Sequence, residues 1–389
     1  MLNLVTDTFD KEEKNAIKKI VKSGYYTYGK VTSRFEEILS KKFKKKYALF
    51  CNSGSSANLL AISSLLYKKD RPLKRGDEVI VPALSWSTTY FPLAQCGLKL
   101  KFVDISRDTL NINLDELKKA ITKKTKLICA VNILGNPCDL REIRKICNKK
   151  RIYFFEDNCE SMGATHNKKL AGSYGDITSH STFFSHHIST IEGGFVLTDN
   201  KELFHICKAL RSHGWTRDLP KDSLIYKQKK NDFFEKYRFI LPGYNLRSTD
   251  LNAAIGIEQI KKLDKFLRIR RNNAKEYKLL FSDHEKFHIQ KESKNSNSSW
   301  FAFPFVIRKK FRYLLPKLFN ELKKQKIMFR VICSGNILNH PVKKHLDYTI
   351  FKNLNNTNLI HNYGFFIGNH PIDITRDLKK IKKIFDRIS

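Results

Sequence analysis

The chain has 389 residues, long enough for two domains and a substantial core. A hydrophobic fraction of 41% and an aromatic fraction of 12% exclude a disordered protein, and no apolar run approaches the roughly 18 residues of a membrane helix. The net charge of +35 could signal nucleic-acid binding, but lysine is spread along the whole chain, often as pairs, and forms no basic stripe.

Eight cysteines lie scattered with no Cys-x-x-Cys or disulfide-like spacing, which fits reduced thiols and a cytoplasmic protein. The segment Met1-Leu2-Asn3-Leu4-Val5-Thr6-Asp7 has neither the basic flank nor the apolar core of a signal peptide. No zinc-finger or other metal-ligand spacing is present, so no metal site is expected.

In chain order, Asp10-Lys11-Glu12-Glu13 reads as an N-cap with a capping-box carboxylate. It opens a helix through Ile17, Ile20 and Val21 that Gly24 stops. Phe35, Ile38, Leu39 and Phe43 repeat at helical spacing. A buried strand at 47–50 then runs into the small-residue turn 52–58 and an apolar helix. Further strands are expected at 78–81, 100–103, 127–131, 152–155, 177–183 and 194–197. Their continuous apolar character suits a mostly parallel sheet covered by helices on both faces, an α/β class.

Residues 217–236 form the one long irregular stretch and are a candidate loop over an active site. Helical pattern resumes over 251–277, as one helix or two, followed by a polar loop at 291–299. A strand at 301–307, a helix at 313–325, further short strands and a terminal helix carrying Leu378, Ile381, Ile384 and Phe385 complete the chain. The expected division is a large α/β domain over 1–250 and a smaller α+β domain over 251–389.

Four places carry chemistry. In the turn 52–58, Gly54, Ser55 and Ser56 precede a helix whose first N–H groups can cradle a phosphate. Asp157 follows a buried strand, where open α/β sheets place ligands, and its carboxylate suits a protonated pyridine nitrogen; a helix cap is the plain alternative. Glu160 lies one turn further on, and Trp86 follows another strand end, where an indole can stack on a ring. The fourth place is Ser181-Thr182-Phe183-Phe184-Ser185-His186-His187-Ile188-Ser189-Thr190-Ile191-Glu192-Gly193-Gly194.

This last segment resembles the cofactor-lysine segment of the DegT/DnrJ/EryC1/StrS sugar aminotransferases. The stretches 81–90 and 156–165 match as well, with His213-Gly214-Trp215-Thr216-Arg217 and Leu241-Pro242-Gly243-Tyr244-Asn245-Leu246-Arg247. The family's lysine stands six residues before the Glu of Glu-Gly-Gly; here that position is His186. An imidazole cannot tether the cofactor aldehyde, but it can move protons. The resemblance therefore extends to the branch that removes a hydroxyl from a nucleotide-linked keto sugar.

It implies the aspartate aminotransferase-like fold (fold type I) and pyridoxal 5'-phosphate, working as pyridoxamine 5'-phosphate. L-Glutamate is the implied amino donor, and GDP-4-keto-6-deoxy-D-mannose on the colitose pathway is the implied substrate. His186 becomes base and acid, and Ser181 a phosphate contact. Glu160 becomes a contact to the ring hydroxyl, where related aminotransferases usually carry Gln. Asn245 is implied to reach the cofactor phosphate of a neighbouring subunit, hence a homodimer with shared sites. His187 is read as structural. A CDP-sugar dehydrase with an iron–sulfur cluster is the nearest alternative, but no Cys-x-Cys occurs and such a cluster needs about four thiolates. A non-catalytic regulatory or nucleic-acid-binding relative is the alternative of a different class, and the Trp86, Asp157 and Ser181 set argues against it.

Overall fold

The computed structural model describes residues 2–227, 229 and 233–389. Its first part carries strands β1 (Tyr47–Cys51), β2 (Glu78–Pro82), β3 (Lys99–Val103), β4 (Thr125–Val131), β5 (Tyr153–Asp157), β6 (Thr165–His166), β7 (Lys169–Leu170), β8 (Ile177–Ser181) and β9 (Gly194–Thr198). Helices α1 (Lys11–Ser23), α2 (Lys30–Lys42), α3 (Gly54–Leu66), α4 (Ser87–Gln95), α5 (Leu114–Ala120), α6 (Leu140–Lys150) and α7 (Lys201–Arg211) accompany them. The second part holds α8 (Asp250–Phe281), β10 (Phe287–Ile289), β11 (Ser296–Asn297), β12 (Ala302–Ile307), α9 (Leu315–Lys324) and β13 (Phe329–Val331). It ends with β14 (Tyr348–Ile350), α10 (Asn355–Tyr363), β15 (Gly364–Gly368) and α11 (Thr375–Arg387).

One sheet of eight strands runs in the order β1-β9-β8-β5-β4-β2-β3-β14. Every pairing from β8 to β14 is parallel, and only β9 opposes its two neighbours. This is the mostly parallel α/β sheet expected from the apolar runs. Strand β4 shows why those runs lack alternation. Its Leu127, Cys129 and Val131 join one core while Ile128 and Ala130 join the core on the opposite face. Both faces of the strand are dry, so every position must be apolar.

Helix α3 is apolar around most of its circumference and is correspondingly sunk between the sheet, α4 and α7. In α1 the capping box forms as anticipated: Asp10 accepts from Glu12 N–H while the Glu13 carboxylate accepts from Asp10 N–H. Gly24 ends the helix at φ 71°, a left-handed conformation that glycine adopts without steric cost.

The 251–277 pattern is one helix of 32 residues, α8, capped by Thr249, whose side chain accepts from Asn252 N–H. Ala253, Ile260 and Leu263 pack with Phe35 and Phe50 beside the large sheet. Further along, Ala274, Tyr277 and Phe281 enter a second, aromatic core with the antiparallel sheet β10-β12-β15-β13. Rings there stack closely, Tyr277 on Phe303 at 4.3 Å and Phe287 on Phe385 at 4.2 Å. The N-terminal Leu2 is buried in the same core and bridges to Ile327.

Four expectations are amended. The polar loop 291–299 contributes β11, which pairs with β6. The 313–325 helix begins as a 3₁₀ turn (Lys309–Leu314) before α9, because Pro316 is tolerated only in a first turn. The 177–183 strand stops at Ser181, where Thr182 and Thr190 close a loop through Thr182 N–H to Gly193 O and Thr190 N–H to Thr182 O. Near the C-terminus, β14 returns to the edge of the large sheet beside β3, so a strand beyond residue 250 completes that sheet.

Candidate active site

Strands β2, β4 and β5 end at the same edge of the sheet, and α3 begins there too. A cavity of about 780 Å³ opens at this edge. Its walls include Gly54, Ser55, Trp86, Asp157, Glu160, Ser181 and His186, seven of the nine site residues selected from sequence.

The loop between β8 and β9 presents His186. Its ends are pinned by the Thr182 and Thr190 hydroxyls, 2.6 Å apart. His186 N–H donates to Phe183 O at 2.9 Å, and its ring stands edge-on to Phe301 at 5.0 Å. Burial, helped by the positive charge of Arg270, pulls the His186 imidazole down to about 3. The ring is thus neutral at physiological pH and has a lone pair to offer. His187 turns the other way: it is buried, and its Nε2 lies 3.3 Å from Ser299 O. No lysine is among the described residues that line the cavity.

Asp157 is held at the end of β5 by three donors. Its Oδ2 accepts from Asn58 Nδ2 at 3.0 Å and Thr89 Oγ1 at 2.8 Å, and its Oδ1 accepts from Cys159 N–H at 3.1 Å. The helix-cap alternative fails, because no helix begins between Asp157 and β6. Glu160 accepts from Leu134 N–H at 2.8 Å, and Cys333 Sγ lies 3.8 Å from its other oxygen. Burial, with the nearby Asp157 charge, pushes the Glu160 carboxyl up to about 7, against the Leu134 hydrogen bond.

The cradle is formed by backbone. Ser53 caps α3 by accepting from Ser56 N–H at 3.0 Å. That hydrogen bond removes Ser56 from the cradle expected of it: its N–H is taken, its hydroxyl accepts from Ser53 at 2.9 Å, and it does not line the cavity. Ser53 lines it instead. Gly54 must be glycine, since a Cβ there would lie 2.6 Å from Ser181 Cβ and 3.2 Å from Cys159 Sγ. First-turn N–H groups at Gly54 and Ser55 have no partner within the helix and point their dipoles outward.

Trp86 precedes α4 and is 56% exposed, so it is a wall of the cavity and no part of the core. Asn245 lies outside the cavity, exposed, with its Oδ1 accepting from Arg247 Nε at 3.1 Å. The expectation of a lid at 217–236 is not met within this chain, since none of its described residues lines the cavity; residues 228 and 230–232 lie outside the described residues. The flanking backbone folds back on itself there. Trp215 stacks on Tyr237 and Phe239, and Arg217 covers Trp215 at 3.9 Å.

Sequence reasoning missed Asn58 and Thr89, although both fall in segments singled out by their position after strand ends. It also missed Phe301, Met328, Arg330, Cys333 and the N-terminal Asn3, Leu4 and Val5, all on the cavity wall. Tertiary packing brings these in, and nothing local marks them.

A fixed carboxylate, a bare helix N-terminus beside a serine, an exposed indole and a proton carrier together fit an aromatic cofactor bearing a phosphate. The chain belongs to the DegT/DnrJ/EryC1/StrS aminotransferase family, which matches over residues 7–386. It is similar to the GDP-4-keto-6-deoxy-D-mannose 3-dehydratase of Yersinia pseudotuberculosis, 48% identical over 99% of this chain and 98% of that one. It is similar also to the structure of the E. coli GDP-4-keto-6-deoxy-D-mannose-3-dehydratase with bound hydrated PLP, at TM-score 0.96 and 44% identity, covering 99% of both chains. A structure of GDP-4-keto-6-deoxymannose-3-dehydratase with a trapped PLP-glutamate geminal diamine matches at TM-score 0.96 and 44% identity, over 99% of this chain and all of that one. The fold is that of the aspartate aminotransferase-like proteins, fold type I.

Proposed function

We propose that the protein is a pyridoxal phosphate-dependent dehydratase that removes the C3 hydroxyl of GDP-4-keto-6-deoxy-D-mannose. L-Glutamate is the donor that keeps the cofactor in its pyridoxamine form. The observation that carries the reading is His186: among the described residues the cavity offers an imidazole and no lysine beside the Asp157 carboxylate. The relatives' names supply the sugar and the glutamate.

In this reading Gly54, Ser55 and Ser181 hold the cofactor phosphate, Asp157 holds the ring nitrogen, and Trp86 covers the ring face. Glu160 meets the ring hydroxyl. When bound, the cofactor supplies an electron sink conjugated to the sugar carbons being changed. His186 does the proton work. Neutral at rest, it accepts a proton, and the imidazolium it becomes delivers that proton to the departing C3 oxygen. Phe183, Phe301 and Trp86 keep bulk water from competing for it. The balance closes with glutamate: it is oxidised to 2-oxoglutarate and ammonia, and the sugar exchanges one hydroxyl for hydrogen.

The active form is a homodimer in which Asn245 serves the neighbouring copy's phosphate site. Support comes from exposed aromatic side chains shortly before it in the chain, Phe233, Tyr237 and Phe239. The division at residue 250 into a cofactor-binding part and a smaller part belongs to this proposal, as does a cytoplasmic location, for which the free cysteines speak. No helix among the described residues is long and apolar enough to cross a membrane.

Incubation of the purified protein with pyridoxal phosphate, L-glutamate and GDP-4-keto-6-deoxymannose tests the reading by mass spectrometry. The expected product is a keto sugar lighter by one oxygen. An amino sugar in its place would overturn the proposal.

A further inference from the structure

Both reactants of the proposed reaction are anions, yet the interior of the cavity is acidic. Asp157, Glu160 and Glu192 line it, and Arg330 is the one guanidinium or ammonium among the described lining residues. Arg330 lies on β13, away from the carboxylates at the sheet edge. The same residue, with Met328, is shared with an adjoining hollow of about 440 Å³ whose wall also carries Lys323 and Lys326. Three cations therefore lie along two hollows that meet at Met328 and Arg330. Among the described residues none of their side chains makes an ion pair or hydrogen bond.

We infer that Arg330, supported by Lys323 and Lys326, is the seat of the nucleotide sugar's diphosphate at the mouth of the cavity. The inference rests on the functional reading above and adds where the nucleotide end is held. A diphosphate pushed toward Asp157 and Glu160 would meet acidic groups, Asp157 among them buried, where repulsion is screened least. At the mouth it meets a guanidinium fork whose geometry matches two phosphate oxygens, with two lysines as point charges beside it. The sugar end then extends inward to His186. The chain's net charge of +35 adds a general attraction that raises the local concentration of an anionic substrate.

Calorimetric titration of the cofactor-loaded protein at low salt with GDP and, separately, with guanosine tests this. Wild-type protein should bind GDP more tightly than guanosine, and the advantage should shrink as salt is raised. Arg330→Gln should weaken GDP about tenfold to a hundredfold while changing guanosine about twofold or less. Arg330→Lys should recover part of the loss, because the charge stays and the fork goes. The double substitution Lys323→Gln with Lys326→Gln should cost GDP several-fold. Equal losses for GDP and guanosine, or none for either, would overturn the assignment. So would an effect confined to the glutamate concentration needed to convert the bound cofactor, which would make Arg330 a carboxylate site. Failure of wild-type protein to bind GDP at all would instead sink the functional reading itself.

Discussion

Replacing His186 by asparagine isolates proton transfer from binding. Asparagine is close in shape and keeps a polar tip near Ser185, so the Phe183 and Phe301 rings keep a neighbour of similar size. What disappears is the proton carrier. With its value near 3, His186 is fully neutral at pH 7, whereas an imidazole at the ordinary 6.5 would be about one quarter protonated. Availability of the base therefore contributes less than about a factor of 1.5, and the effect comes from proton transfer itself. General acid–base catalysis supplies about 10²- to 10⁴-fold, equivalent to ~3–5 kcal/mol of barrier. Among the described residues the neighbouring histidine and thiols do not replace it, since His187 faces Ser299 and burial keeps the Cys159 and Cys333 thiols protonated, while Glu160, in the proposed reading, is engaged by the ring hydroxyl. His186→Asn should bind pyridoxamine phosphate by absorbance and fluorescence titration yet lose two to four orders of magnitude in 3-deoxy product, scored by chromatography. His187→Asn should lose far less. Comparable losses in the two variants, or more than a tenth of wild-type turnover in His186→Asn, would refute the assignment of the proton to this residue.

Three more outcomes follow from the same geometry. Borohydride treatment of the cofactor-loaded protein should leave no pyridoxyl label on any peptide, whereas His186→Lys should produce a yellow chromophore that survives dialysis and should suppress deoxygenation. Gly54→Ala forces a methyl group to 2.6 Å from Ser181 Cβ; thermal unfolding should report about 1–3 kcal/mol of destabilisation, and cofactor titration a weaker phosphate site. Glu160→Gln should stabilise the cofactor-free protein at pH 8 and not at pH 4.5. The carboxyl's folded value of about 7 exceeds its ordinary 4.5, so its contribution is complete below pH 4.5 and lost as pH rises through 7. Because Glu160 is open to the cavity on one side, the gain in urea unfolding should be about 1–2 kcal/mol, below what the full shift would give. His180 and His186 work in the opposite sense, since values near 3 make their contribution complete above pH 6.5 and lost as pH falls toward 3.

Much of the cavity's sheet edge was legible because it is built from residues adjacent to strand ends. Apolar runs marked β2, β4 and β5, and the chemistry follows directly after them: Trp86 after β2, Asp157 and Glu160 at and after β5. The His186 loop was legible for a different reason, since the Glu192-Gly193-Gly194 turn fixes a reading frame from which the missing lysine can be counted. Ser56 was misjudged because both Ser53 and Ser56 suit a helix start, and only the hydrogen bond between them decides which is the cap. The opposite wall was invisible. Phe301, Met328, Arg330 and Cys333 reach the cavity through packing of the second sheet against the first, and Leu2 anchors Asn3, Leu4 and Val5 there by pairing with Ile327. Such long-range contacts leave no periodicity in sequence. The single long helix over 250–281 was ambiguous for a related reason: its apolar stripe serves two different cores in succession, so the pattern shifts partway along.

The two walls also differ in what they can do. The sheet-edge wall fixes its groups through hydrogen bonds between buried partners, as with Asn58 and Thr89 on Asp157, so its geometry resists change where the proposed chemistry takes place. The wall from the second sheet presents exposed side chains on and just before the three-residue strand β13, with Val331 57% and Met328 41% accessible. A site that must hold one cofactor ring rigidly, yet admit and release a sugar and then glutamate, needs both kinds of surface. Substituting lysine by histidine adds to that demand. In the proposed reading no covalent tether holds the cofactor, so it depends on non-covalent contacts, the phosphate cradle and Asp157 foremost, and the rigidity of the first wall becomes a condition for keeping the cofactor between half-reactions. Loss of either the Asn58 or the Thr89 hydrogen bond should therefore cost this protein more cofactor affinity than the same change in a relative that retains lysine.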